Sequence, residues 1–175
     1  LSTNSTNRVF IFSDAGLLTL NTGTITGSGI SSLRIGGNGN MAISSVISIG
    51  TGGLTKGGTG TLTLSGSNTY SGGTVLNAGT TIIGNANALG SNTNDLTNNA
   101  TLNLAGFSIT QGSLAGSGTV TNSTAGNTTL TLGGNNTSTA FSGSLLAGTG
   151  TISLVKNGTG TCLLYTSPSP RDGLL

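Results

Sequence analysis

Short runs in which aliphatic residues occupy every second position recur along the chain and restrict its fold more than any other feature. Examples are LLTL at residues 17–20, TLTL at 61–64, TLNL at 101–104 and TLTL at 129–132. A two-residue period places the aliphatic side chains on one face of a β-strand, and the 3.6-residue period of a helix is not found. Each run ends at Gly, Asn or Ser, which favour turns. The sequence therefore predicts many short strands with one buried face.

Two long segments of the chain repeat each other. Residues 33–61 and 130–161 both run from an aliphatic strand through Gly-Gly-Asn and a lysine to Gly-Thr-Gly-Thr, so that Lys56 and Lys156 hold equivalent positions. Strands this short are not stable alone, but stacked repeats can share one core. We therefore predict an all-β, parallel β-helix (β-solenoid) with coils of roughly 20 to 25 residues and about seven coils before Thr161. A β-sandwich is the alternative.

The interior of such a solenoid is predicted from the alternation. The aliphatic residues that we expect to fill it are Leu62, Leu64, Leu102, Leu104, Leu130, Leu132, Ile47 and Ile49. Threonine at the intervening positions faces water, and ladders of Thr and Asn on stacked coils supply polar surface without the repulsion of like charges.

Charged residues make up only 5% of the chain, with five Lys and Arg against three Asp. They are scattered singly, so no basic stripe is present that could follow a phosphate backbone, and we expect no nucleic-acid partner. No stretch approaches the roughly 18 to 20 apolar residues of a membrane helix. We therefore expect no direct insertion of this segment into a membrane.

Catalytic chemistry finds few candidate residues. The chain has no histidine, which excludes Ser-His-Asp and Cys-His catalysis. With no glutamate, a glycosidase pair would have to use Asp14 and Asp95, which lie in different units, and we expect turn or capping roles for both. Lys56 and Lys156 are interpreted as solubilising charges that protect strand edges. We expect no catalytic, cofactor-binding or metal-binding residues, no cofactor and no enzymatic activity.

Residues 52–80, GGLTKGGTGTLTLSGSNTYSGGTVLNAGT, closely resemble the autotransporter-associated β-strand repeat, also called the passenger-associated transport repeat. The matching positions are Leu54, Lys56, Gly58, Gly60, Leu62, Leu64, Gly66, Asn68, Thr69, Tyr70, Gly72, Gly73, Val75, Asn77, Ala78 and Gly79. A second copy begins at LVKNGTGT, residues 154–161. A weaker similarity covers most of residues 14–161.

This resemblance implies a right-handed, single-stranded β-helical passenger of a bacterial type V secreted protein. Such a passenger lies at the cell surface, attached to the outer membrane through a C-terminal β-barrel translocator, which we expect in a missing part of the protein. The implied role is a non-catalytic stalk or adhesive surface, with a host or matrix ligand of unknown identity. Residues 1–161 are then an uncapped fragment of the passenger repeats.

The character of the chain changes at Cys162. Residues 162–172, CLLYTSPSPRD, resemble a translated transposase sequencing adapter and replace the LTLSG that the repeat requires. We interpret residues 162–175 as a non-native, disordered tail, so that Cys162 carries no redox inference. A genuine Ser-Pro-rich linker is the alternative.

A second function stays open from the sequence, which is a carbohydrate-binding or carbohydrate-cleaving β-helix. It requires an aromatic platform or a carboxylate cluster on one lateral face. The five aromatic residues of the repeat region are too widely spaced in the sequence to indicate one: Phe10, Phe12, Tyr70, Phe107 and Phe141.

Overall fold

The computed structural model describes residues 7–27 and 29–165. In these residues the chain forms twenty short strands and no helix. Strands pair in parallel with the equivalent strand of the preceding or following coil, with Leu33 opposite Val9 and Leu54 opposite Leu33, for example. The prediction of a parallel β-solenoid is confirmed.

The strands form three faces along the stack. The first face contains β1 (Arg8–Phe12), β4 (Ser32–Gly36), β7 (Gly53–Lys56), β9 (Thr74–Leu76), β11 (Asp95–Asn98) and β14 (Ser113–Ala115), and a bridge from Gly116 to Phe141 continues it to β17 (Thr139–Phe141) and β20 (Cys162–Leu164). The second face contains β2 (Leu17–Leu20), β5 (Asn40–Ile43), β8 (Thr61–Leu64), β10 (Thr80–Ile83), β12 (Thr101–Asn103), β15 (Thr119–Asn122) and β18 (Ser144–Ala147).

The third face is less regular. It contains β3 (Thr24–Thr26) and β6 (Val46–Ser48), and later β13 (Ile109–Gln111), β16 (Asn127–Leu132) and β19 (Thr151–Lys156). We number each turn of the solenoid from its first-face strand, so that turn 3 begins at β7 and turn 4 at β9. Turns 3 and 4 have irregular segments on the third face, at residues 65–73 and 84–94. The seven strands of the second face define seven turns, as the sequence indicates.

The turns differ in length although their strands stay in register. Leu102 lies opposite Val120, 18 residues later, whereas Val120 lies opposite Leu145, 25 residues later. The longer turn has the six-residue β16 on its third face, where the shorter turn has the three-residue β13, and residues 133–138 rather than Gly112 alone connect that face to the first. The stack therefore tolerates unequal repeats without displacing its core.

A column of mostly aliphatic side chains fills the interior. All eight residues that the alternation places inside are buried: Leu62, Leu64, Leu102, Leu104, Leu130, Leu132, Ile47 and Ile49. Burial of apolar area contributes about 25 cal/mol per Å². The intervening threonines, such as Thr63 and Thr131, are only partly buried on the outside of the same strands. The two-residue period is thus expressed in the strands that hold or border these residues, from turn 2 to turn 6.

The segment interpreted as non-native is only partly described. Cys162–Leu164 form β20, which pairs with β17, whereas residues 166–175 lie outside the described residues. A tripeptide of Cys, Leu and Leu suits any open strand edge, so its pairing does not separate natural sequence from adapter translation. The boundary at residue 161 and the non-native origin of residues 162–175 stay predictions.

Candidate functional site

Lys56 points into the core, and the prediction that it is a solubilising surface charge is wrong. It ends β7 two residues after the buried Leu54 and lies in register with the aliphatic Ile35 and Leu76 of the adjacent turns. Its side chain is 3% exposed. The strict alternation of the strand carries more weight here than the charge of the side chain.

Backbone carbonyl groups solvate the buried ammonium group of Lys56. Its Nζ donates to the carbonyl oxygens of Gly57 at 2.9 Å, Gly58 at 2.8 Å and Ala78 at 3.2 Å. These three acceptors match the three donors of an ammonium group. Loss of hydration lowers the pKa of Lys56 from its ordinary value. Because Ala78 belongs to turn 4, Lys56 also joins two successive turns.

Lys156 repeats part of this arrangement at another corner of the cross-section. Its Nζ donates to the carbonyl oxygens of Asn157 and Gly158, the equivalents of Gly57 and Gly58. The side chain is exposed, however, and β19 pairs Lys156 with Leu132 on the third face. The two lysines therefore share a local turn, but they lie on different faces of the solenoid.

A buried polar network replaces the third-face strands of turns 3 and 4. Tyr70 is fully buried, and its hydroxyl lies 2.7 Å from Thr74 Oγ1. Thr74 Oγ1 donates to the carbonyl oxygen of Leu89 at 3.2 Å, so Tyr70 is the donor of the pair. Asn94 Nδ2 donates to the carbonyl oxygens of Tyr70 at 3.0 Å and Leu89 at 3.3 Å. Burial raises the pKa of Tyr70 well above its ordinary value.

Asn68 completes this network by joining three turns. The backbone N–H of Ile47 in turn 2 donates to Asn68 Oδ1 at 2.8 Å, and Asn68 Nδ2 donates to the carbonyl oxygen of Ala88 in turn 4 at 2.6 Å. Its carboxamide thus supplies hydrogen bonds between successive turns at a place where no strand is present to supply them from the backbone. Asn68 and Tyr70 belong to the repeat motif, and the structure gives both a role in stacking turns.

Asp14 and Asp95 are not brought together. Asp14 follows β1 in turn 1, and Asp95 opens β11 in turn 5. Four rungs of about 4.8 Å place them roughly 19 Å apart along the axis, beyond the roughly 5 to 9.5 Å of a glycosidase pair. Asp95 Oδ1 instead accepts from Ser113 Oγ at 2.5 Å and Asn135 Nδ2 at 2.7 Å, which links it to turn 6.

Two of the five aromatic residues meet on the outer surface. Phe10 and Phe12 alternate with the buried Val9 and Ile11 in β1, so both rings point outward. The rings are nearly parallel, with an interplanar angle of 10° and centroids 6.0 Å apart. Tyr70 and Phe141, in contrast, are buried. The sequence contained the signal for this pair in the alternation of residues 9–12, although the spacing of aromatics along the whole chain obscured it.

A lateral cavity of about 350 Å³ lies beside this aromatic pair. Arg34, the cross-strand neighbour of Phe10, borders it together with Asp14. Gly57 and Gly58 contribute backbone from the corner between the first and second faces. We call this region the β1 cavity; it combines an aromatic surface, both signs of charge and exposed peptide groups.

Neither a cluster of metal ligands nor a membrane-spanning helix is present in the described part of the chain. Across residues 7–27 and 29–165, no three His, Cys, Asp or Glu side chains are grouped as metal ligands would be. In the same residues no helix has the length and hydropathy needed to cross a bilayer.

Comparisons with known proteins agree with the resemblance seen in the sequence. Residues 54–83 match the family model of the passenger-associated-transport-repeat, and these residues build turn 3 and the first two strands of turn 4. The chain is 38% identical over 174 residues to the protein "Adhesin BmaC autotransporter" of Brucella suis, which covers 89% of this chain and 5% of that protein. No solved structure matches the chain.

Proposed function

We propose that the chain belongs to the autotransporter passenger repeat proteins and forms a structural, adhesive segment of a passenger at the bacterial cell surface. The observation that carries the proposal is that residues of the repeat motif hold the turns together. Residues 54–83 match the family and supply the contacts that join turns 2, 3 and 4. The similarity to a Brucella adhesin supports an adhesive use of the surface. The chain covers only 5% of that relative, so a translocator and further domains belong to the proposal.

The proposed mechanism is mechanical rather than catalytic. Seven rungs at about 4.8 Å give a rod of roughly 30 Å from this segment, and longer arrays of the same turn extend it. Each turn buries its apolar edge only when the next turn is added. Outside the outer membrane, folding of turn upon turn then opposes return of the chain through the translocator, because burial contributes about 25 cal/mol per Å².

The lateral surface supports a role in contact rather than chemistry. Asn127 Oδ1 accepts from Thr151 Oγ1 at 3.0 Å and from Ser153 Oγ at 3.1 Å, so polar ladders run from turn to turn. Such ladders present ordered hydroxyl and amide groups along the rod. Asp14 and Asp95, the pair that hydrolysis would need, are turns apart and Asp95 is engaged in joining strands.

The test is display of the chain on cells. The 175-residue chain, with an epitope tag, is placed between an export signal and the C-terminal translocator of a known autotransporter in a Gram-negative host. We expect the tag to be accessible to antibody on intact cells, and we expect these cells to adhere to epithelial monolayers or matrix-coated surfaces better than cells with the translocator alone.

Two variants test whether adherence requires the folded solenoid or only export of the chain. Leu62→Asp places a charge in the buried column, whereas Thr63→Asp places it on the outside of the same strand. We expect adherence to be lost in Leu62→Asp and retained in Thr63→Asp. Retention of the tag in the periplasm, or equal adherence of both variants and the translocator alone, would overturn the proposal.

A further inference from the structure

We propose that the β1 cavity binds a neutral pyranose residue of a glycan. This inference deepens the proposed adhesive role and rests on it for its biological use. Sugar binding is nevertheless measured on the purified chain, so the sugar-binding inference and the proposed adhesive function can fail independently. The inference depends on three features of the cavity: an aromatic surface, a balanced pair of charges and a depression lined by glycine.

The aromatic surface is provided by Phe10 and Phe12. Phe12 is 58% exposed and Phe10 is partly buried, so the pair offers apolar ring surface to solvent instead of packing in the core. The face of an aromatic ring carries negative charge density. The axial C–H groups of a pyranose are weakly positive and form a flat apolar patch, which suits such a surface.

The charges favour a neutral ligand with adjacent hydroxyl groups. Arg34 and Asp14 are both exposed and border the same cavity. A guanidinium group offers planar donors, and a carboxylate offers acceptors. A pair of neighbouring sugar hydroxyls can accept from the first and donate to the second. Because the two charges balance, an acidic sugar gains no net attraction.

The corner beside the cavity requires glycine. Gly37 has φ +102°, and a Cβ there would lie 2.0 Å from the carbonyl oxygen of Ser13. Gly58 has φ +74°, and its Cβ would lie 2.3 Å from the carbonyl oxygen of Gly37. Stacking of successive turns therefore excludes side chains at both positions. Gly36 is also required beside the aromatic pair, because a Cβ there would lie 2.8 Å from Phe12 Cε1.

Gly57 provides a way to fill the cavity without disturbing its walls. Its φ is not positive, and a Cβ placed on it would meet no atom within 4 Å. Its backbone N–H donates to the carbonyl oxygen of Ile35 at 2.8 Å, a bond that any non-proline residue keeps. Gly57→Leu should therefore occupy the cavity while Phe10, Phe12 and the fold stay in place.

A volume of about 350 Å³ lies at the lower end of the range of small-molecule sites. It suits one sugar residue with part of a second. On the following strands of the first face, the residues in register with Phe10 and Arg34 are small, namely Thr55, Val75, Thr97 and Ala115. The aromatic and charged residues of this row are thus concentrated at its β1 end, where a glycan chain could lie across the turns.

The experiment is saturation-transfer NMR on the purified 175-residue chain. The probes are the methyl glycosides of glucose, galactose, mannose and N-acetylglucosamine, with methyl glucuronide as the acidic comparison. We expect transfer to the ring C–H protons of at least one neutral glycoside, with a dissociation constant on the order of millimolar for a single sugar. We expect weaker transfer to the glucuronide.

Matched variants locate the binding. Phe12→Ala and Gly57→Leu should each weaken binding by about tenfold or more, whereas Gly134→Leu should leave it unchanged, because a Cβ on Gly134 also meets no atom within 4 Å but lies outside the cavity. If Phe12→Ala does not fold, the loss or retention of binding in Gly57→Leu shows whether the sugar occupies the β1 cavity. Absence of transfer to every neutral glycoside, equal binding by Gly57→Leu, or preference for the glucuronide would overturn the inference.

Discussion

At the scale of single residues, replacement of Lys56 should lower the free energy of unfolding far more than replacement of a surface lysine. We expect Lys56→Ala to lower the free energy of unfolding by about 2 to 4 kcal/mol, because it removes a buried aliphatic stem and leaves three carbonyl oxygens without their donor. Lys156→Ala, at the exposed equivalent position, should change it by less than about 0.5 kcal/mol. Urea unfolding followed by circular dichroism measures both.

Lys56→Met separates packing from hydrogen bonding. It keeps a long unbranched stem in the position between Ile35 and Leu76, so we expect a smaller loss than in Lys56→Ala. Equal unfolding midpoints for Lys56→Ala and Lys156→Ala would contradict the buried position of Lys56.

Tyr70 should give the chain an alkaline limit to its stability. Burial raises the pKa of its hydroxyl in the folded state. In the unfolded chain the same hydroxyl has a pKa of about 10. The unfolded state therefore loses its proton first, and the stability contributed by Tyr70 is complete below pH 10 and is lost as the pH rises above it. We expect Tyr70→Phe to show a smaller fall in unfolding free energy above pH 10 than the parent chain.

The same variant has a cost at neutral pH. Loss of the hydrogen bond to Thr74 should lower the unfolding free energy by about 1 kcal/mol. Unfolding curves at neutral pH and at several values above pH 10 measure both effects. Parallel pH profiles for the parent and Tyr70→Phe would show that the hydroxyl is not buried as described.

These residues also show where sequence reasoning reached its limit. The alternation predicted the aliphatic column correctly, and applied strictly it also places Lys56 beside Leu54 inside the solenoid. The prediction instead followed the general preference of lysine for the surface. The acceptors that permit its burial include Ala78, 22 residues away, and a partner at that separation is known only once the turns are aligned.

At the scale of strands, Thr81 interrupts the aliphatic column of the second face. It lies between Leu62 and Leu102, and its buried Oγ1 has no hydrogen-bond partner. We expect Thr81→Val to raise the unfolding free energy by about 1 kcal/mol, because an unpaired buried hydroxyl is replaced by a methyl group of the same shape.

Thr80→Val is the matched control on the outside of β10. Thr80 lies between Thr61 and Thr101 and is only partly buried, so the change should be close to zero. Thermal unfolding of the two variants side by side measures the difference. Destabilisation by Thr81→Val would indicate that its hydroxyl is paired in solution.

The third face shows which part of the fold the sequence left undetermined. Strand patterns on the first two faces are clear, but residues 65–73 and 84–94 have no alternation of aliphatic residues, so the sequence predicts no strand there. Their structure depends on Asn68 and Tyr70, whose partners Ala88 and Thr74 come from the next turn. The aromatic pair of the β1 cavity is obscured for a different reason, because the five aromatic residues are sparse along the whole chain and only the alternation within β1 places Phe10 and Phe12 on one face.

At the scale of the whole molecule, each turn is held chiefly by the turn before and the turn after it. Stability should therefore vary along the stack, as in other solenoids. In hydrogen exchange followed by mass spectrometry, we expect the amides of β8 and β10 to exchange more slowly than those of β2 and β18, which end the second-face sheet. Equal protection in all four strands would instead indicate one cooperative unit.

The positions of Lys56 and Lys156 have a consequence for how such chains grow. The two lysines are 100 residues apart in equivalent sequence, yet one closes a first-face strand and the other a third-face strand. One short motif thus serves two corners of the cross-section. A duplication that adds a fraction of a turn can consequently be accommodated, provided that the repeated motif again falls at a corner of the cross-section.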